Sequence, residues 1–255
     1  MKGRETGVNI ILLGFLASLL AGLSTGAGAL PILFFKDVSD RVLDVMLGFA
    51  AGVMLAASSF SLLVPALELS DAWTVALGFS IGALTIHLID RYTPHLHVWK
   101  GAEGPASPRL SGLMLMVIAI TIHNFPEGLA VGVSFGGGDT ARGILVALAI
   151  GLQNMPEGLA VAFPLVREGY SRARSLWIAT LTGLVEPVGG LLGVALVSLA
   201  EPVLPWGLAF AAGAMVFVVS DEIIPESHRK GFEREATFGL IIGFLIMMIL
   251  DTYFG

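Results

Sequence analysis

The chain has no cysteine, which removes disulfides, thiolate metal sites and cysteine nucleophiles together and leaves the redox compartment open. It is also poor in charge: 13% of its 255 residues are Asp, Glu, Lys or Arg, against 55% hydrophobic. That balance excludes an ordinary soluble domain of this size and points to a membrane protein. No basic tract suggests nucleic acid as a partner. The net charge of -6 decides little, because in a membrane chain the placement of charge matters more than its sum. No His-Glu-x-x-His segment is present, so the usual helical signature of a zinc hydrolase is missing.

What the sequence does have is long apolar runs. Stretches able to cross the ~30 Å hydrocarbon core fall at about 8 to 35, 45 to 67, 72 to 90, 111 to 134, 143 to 166, 175 to 200, 203 to 221 and 236 to 253. They predict an all-α, polytopic fold of eight helices. The first run exceeds the core of a cleaved signal peptide, and its Gly14, Gly22, Gly26 and Gly28 predict close helix contacts.

Lys and Arg accumulate on the cytoplasmic side. With both termini outside, the inner connections hold Lys36, Arg41, Arg91, Lys100, Arg109, Arg167, Arg172, Arg174, Arg229, Lys230 and Arg234, and the outer segments only Lys2, Arg4 and Arg142. Eleven against three favours that orientation in the cell membrane, and the alternation supports eight spans. The longest connection, 91 to 110, contains Pro, Gly and Ser with His95 and His97, and reads as a mobile cytoplasmic loop within a single transport domain covering 1–255.

Two near-copies stand thirty residues apart in the middle of apolar runs: His123-Asn124-Phe125-Pro126-Glu127-Gly128 and Gln153-Asn154-Met155-Pro156-Glu157-Gly158. Away from helix ends, Glu127, Glu157 and Glu186 are the only charged residues deep in the runs. Each costs on the order of 3 kcal/mol or more to insert unless paired or hydrated. No intramembrane Lys or Arg can neutralise them, so the compensating charge must be mobile, a metal ion or protons. A short outer loop makes the two motif helices antiparallel, which brings both motifs to one level. His123 shares a face with Glu127, and Gln153 with Glu157, at the i, i+4 spacing. Asn124 and Asn154 precede the same glutamates by three residues, so each glutamate can bridge two neighbouring sites, and Glu186 can close the second. Pro126 and Pro156 free the carbonyls of Ile122 and Leu152 at this depth, and Gly128 and Gly158 permit tight packing. The nitrogen and oxygen donors suit Zn(II), Fe(II), Mn(II), Co(II) or Cd(II) and argue against Cu(I).

These motifs, with Glu186 in Val-Glu-Pro and Ser-Asp-Glu-Ile-Ile-Pro-Glu at 220 to 226, resemble the ZIP (Zrt/Irt-like) family of divalent metal transporters across all eight spans. The resemblance implies a three, two and three arrangement with the outer triplets related by inverted symmetry. It implies a two-metal centre between spans four and five: His123, Glu127, Gln153 and Glu157 at one site, with Asn124, Asn154 and Glu186 joining the shared glutamates at the other. Members often carry an acid where Asn154 stands, so the second site here is less anionic.

It also implies a pore-facing Ser61 and a metal-capturing or sensing role for His95 and His97, where the plain alternative is solvated loop histidines. Asp221, Glu222 and Glu226, with His87 and Asp90, are either an exit relay or ordinary membrane-edge charge. Met46, Met54, Met114 and Met116 read as packing. The expectation is uptake of zinc, with iron, manganese or cadmium, into the cytoplasm. The metal is substrate, no organic cofactor is required, lipid is the solvent, and a homodimer is the assembly considered. An intramembrane metal-dependent hydrolase and a non-transporting sensor are the competing readings, since a two-metal centre can equally activate water.

Overall fold

A computed structural model of the chain describes residues 9–35, 37–97, 101–105 and 112–255. Of the charges that set the orientation, Lys2, Arg4, Lys36, Lys100 and Arg109 lie outside the described residues, as do the side chains of His95 and His97.

Among the described residues, eight helical spans are long and apolar enough to cross a membrane: α1 Ile10–Leu33, α2 Asp40–Leu69, α3 Ala72–Tyr92, α4 Met114–Gly136, α5 Thr140–Arg167, α6 Arg172–Leu199, α7 Glu201–Ser227 and α8 Glu233–Phe254. Short polar side chains start several of them by accepting from first-turn N–H groups: Asn9, Ser39, Asp71, Asp139 and Ser171. At Asp71 the Thr74 hydroxyl, reinforced by the Thr74 and Trp73 amides, holds the carboxyl below the usual carboxylate range. The connection after α3 is not wholly irregular. Strands β1 His95–His97 and β2 Gly101–Glu103 pair antiparallel, with His95 opposite Glu103. Gly104 closes this ribbon at φ +75, where a Cβ would meet the Thr93 carbonyl.

The spans pack extensively where α2 meets α8, α4 meets α6, α1 meets both α5 and α6, and α3 meets α7, and α1 also touches α4. Glycines set every one of these seams. A Cβ on Gly128 would strike the Glu186 carbonyl, on Gly158 that of Thr25, on Gly52 that of Leu240, and on Gly82 that of Phe210. Without a hydrophobic drive between helices in lipid, such backbone approach supplies the contact area that holds spans together. The expected contacts of α1 are present: Gly14 meets Val194, Gly22 meets Gly183, Gly26 meets Thr180 and Gly28 meets Met155.

Prolines act in three different ways. Helices α4 and α5 continue through Pro126 and Pro156 without a break. In α2 and α7 the turns before Pro65 and Pro225 widen into π segments, Ala57–Leu63 and Val219–Ile223. The residue before each proline donates five residues back, Val64 to Ser59 and Ile224 to Val219, so an extra residue is absorbed and the helix goes on. This carries α7 to Ser227, beyond the 221 expected from the apolar run. Helix α6, by contrast, divides into Arg172–Gly183 and Glu186–Leu199, with Pro187 opening the second half.

Replacing Gly52 by Val should drive methyls into the Leu240 carbonyl and destabilise the fold by at least ~2–3 kcal/mol. Gly138→Ala, at φ +82 with open space around it, should cost only about 1 kcal/mol. Thermal melts of the detergent-purified variants, followed by monodispersity on size exclusion, check the contrast.

Candidate metal centre

The two motifs and Glu186 converge. Helix α4 supplies His123, Asn124 and Glu127, helix α5 supplies Gln153, Asn154 and Glu157, and the break in α6 supplies Glu186. Asn124, Glu127, Gln153, Asn154 and Glu186 have no solvent exposure, and His123 and Glu157 retain only 5% and 4%. The seam at Gly128 sets α4 directly on the backbone of Glu186, and the seam at Gly158 sets α5 on α1. The glutamates are near enough for their charges to interact, Glu127 with Glu157 and Glu186, and Glu186 with Glu157.

Amides bridge the carboxylates across helices. Gln153 Nε2 donates to Glu127 Oε1 at 2.6 Å, and Asn154 Nδ2 donates to Glu186 Oε1 at 2.6 Å and to the Ala21 carbonyl at 2.8 Å. His123 turns toward α7 and lies with Nε2 2.5 Å from Glu222 Oε2. Glu157 and Asp90 also act electrostatically on this ring. The side chains are thus engaged pairwise. Among the described residues, no three His, Asp or Glu groups converge closely enough to grip an ion as they stand.

Acceptors are left over. Both oxygens of Glu157, Oε2 of Glu127 and of Glu186, Oε1 of Gln153 and Oδ1 of Asn154 are buried with no hydrogen-bond partner among the described residues. Asn124 makes no hydrogen bond through either amide atom. A buried oxygen without a donor costs about 1–3 kcal/mol, more when it is charged, and no described Lys or Arg pairs with these acids. Oxygen-rich, acidic and buried, the arrangement matches what a hard or borderline dication needs. Glu186 has one further support, since it stands in the first turn of Glu186–Leu199, where the helix's unpaired N–H groups favour an anion.

The remaining predicted positions are more dispersed. Ser61, buried in the π segment of α2, donates its hydroxyl to Asp251 Oδ1 of α8 at 2.5 Å. Asp221 is half-buried and Glu222 buried in the π segment of α7, and Asp90 is buried at the end of α3. His87 stacks edge-on against Phe217. Sequence reasoning missed Asp251, set aside as a helix-end charge, and the Ala21 carbonyl, for which a backbone atom leaves no signal. It also missed Asp44, whose carboxylate the structure buries fully on α2 although it precedes the apolar run.

A family model described as ZIP Zinc transporter matches residues 100–251 of the chain. The chain is 49% identical over 251 residues to the zinc transporter GufA of Myxococcus xanthus, covering 95% of this chain and 99% of that protein. It is 44% identical over 268 residues to the zinc transporter ZIPB of Bordetella bronchiseptica, covering 98% of this chain and 84% of that one. Against the zinc transporter ZIP11 of Xenopus tropicalis it is 37% identical over 333 residues, covering 98% and 99%.

Glu157→Gln keeps the shape of the side chain and removes the charge of the carboxylate whose oxygens are both unpartnered. Titration calorimetry of purified protein with Zn2+ should show affinity at the centre falling at least about tenfold, the low end for disturbing a metal-ligand shell.

Proposed function

The chain belongs to the ZIP zinc transporter family, and on that premise we propose that it takes up zinc, with iron, manganese or cadmium as further substrates, through a centre between α4 and α5. Membership makes it a multi-pass membrane metal transporter and not an enzyme, so the hydrolase reading is set aside. The observation that carries the proposal is the burial of Glu127, Glu157 and Glu186 within electrostatic reach of one another, with oxygens left over and no described basic residue to balance them. A passing dication supplies that balance. Glu127 and Glu157 stand between two groups of polar side chains, His123 and Gln153 on one side and Asn124, Asn154 and Glu186 on the other, so the ion is held by the shared glutamates.

Inward movement is the second part of the proposal. A doubly charged ion entering a negative interior gains about 4.6 kcal/mol per 100 mV, so uptake needs no obligatory partner ion. His123 faces Glu222, and the acids Asp90, Glu222 and Asp221 continue from it, which supports an exit relay on that side. Ser61 and Asp251 form the polar contact on the other side and serve entry. The inverted three, two and three plan draws support from the matching π segments in α2 and α7, the middle spans of the two triplets, each ended by a proline. In this plan both termini lie outside.

Proteoliposomes loaded with a zinc-sensitive dye test the site and the direction. Wild-type influx should rise with an interior-negative potential, while Glu127→Ala and His123→Ala should remain folded and lose metal-driven flux. Wild-type flux in both variants would remove the centre from consideration.

The absence of native cysteine makes orientation directly measurable. Cysteine introduced at the exposed Glu201 should react with a membrane-impermeant maleimide on intact cells, and cysteine at the exposed Glu168 only after permeabilisation. The reverse pattern would invert the proposed topology.

A further inference from the structure

Among the described residues, Asn154 donates more hydrogen bonds than any other side chain of the centre. Its Nδ2 donates to Glu186 Oε1 and to the Ala21 carbonyl, so both amide protons are engaged and the group is fixed between α6 and α1. The network assigns its orientation, because turning the amide over would set Oδ1 against two acceptors. Gln153 makes one such bond among the described residues, to Glu127, and its Oε1 remains without a partner.

Charge then limits how many ions fit. Three carboxylates meet here, with Glu222 turned to His123. One dication leaves a single negative charge over, and Glu186 is the group equipped to keep it. It receives the Asn154 N–H and stands at a helix N-terminus. Two dications would instead leave a net positive charge in a buried site, where unbalanced charge is costly. The oxygens of Glu127, Glu157 and Gln153 that lack a hydrogen-bond partner among the described residues are the donors that one ion would draw together.

We infer that this centre holds one divalent cation at a time, at Glu127, Glu157 and Gln153 beside His123, and that Asn154 takes the place of a second ion by holding Glu186 against α1. The inference rests on the transport-site reading above and sharpens it. Asn154 is a positioning residue here and not a ligand.

The test counts ions. Tag-free protein carrying His95→Ala and His97→Ala, which remove loop binding, is equilibrated with Zn2+ in lipid nanodiscs, desalted, and assayed by mass spectrometry for zinc per chain. One zinc is expected with Asn154 in place, two with Asn154→Asp, which adds the carboxylate a second ion needs, and none with Glu157→Gln. Two zinc ions with Asn154 in place, or one in monodisperse Asn154→Asp protein, would overturn the inference. Should Asn154→Asp fail to fold, the count with Asn154 in place decides alone. Zinc retained undiminished in Glu157→Gln would instead bring down the transport-site reading itself.

Discussion

The molecule is organised around carboxylates buried where no described basic side chain pairs with them. Glu127, Glu157 and Glu186 are buried together, and the donors that reach them are neutral amides from Gln153 and Asn154. An amide N–H lowers the cost of a buried carboxylate without cancelling its charge, so a cation finds attraction in reserve. A lysine at the same place would form a permanent pair and close the site to metal. The scarcity of charge in the rest of the chain is the other side of this arrangement, since an uncontrolled acid or base in the spans would compete for the same ion.

Helix packing serves that requirement. The motif glycines are the points at which backbones touch, Gly128 on Glu186 and Gly158 on Thr25, so the residues that carry the acids and the residues that fix their spacing are neighbours in sequence. The same device recurs at Gly52 and Gly82, in the two pairs that contribute no glutamate to the centre. Those outer pairs supply instead the π segments, where Ser61, Asp221 and Glu222 sit in widened turns that a regular helix would have presented differently.

Much of this was legible in the sequence. Apolar run length set the eight spans, because the bilayer imposes a length that few other folds need. The motif copies and Glu186 could be placed together because insertion cost singles out any carboxylate in mid-span. Other features were not legible for identifiable reasons. Nothing in the run around 184 separates a divided helix from a continuous one, since Pro126 and Pro156 are traversed while Pro187 opens a new helix. The partner of His123 was invisible because i, i+4 spacing describes one helix, whereas Glu222 comes from another. The π segments escaped because an added residue leaves the hydrophobic pattern almost unchanged. The short ribbon at His95–His97 escaped because its strands are only three residues each.

The division of α6 makes it two rods joined at Leu184 and Val185. The first rod lies against α1 where Gly22 meets Gly183, and the second lies against α4 where Gly128 meets Glu186. Glu186 is therefore at a joint between two rods that both rest on α1, the second of them lying along α4 as well. Because that carboxylate stands where the two rods meet, whatever its oxygens bind sits directly at the packing of α6 on both α1 and α4.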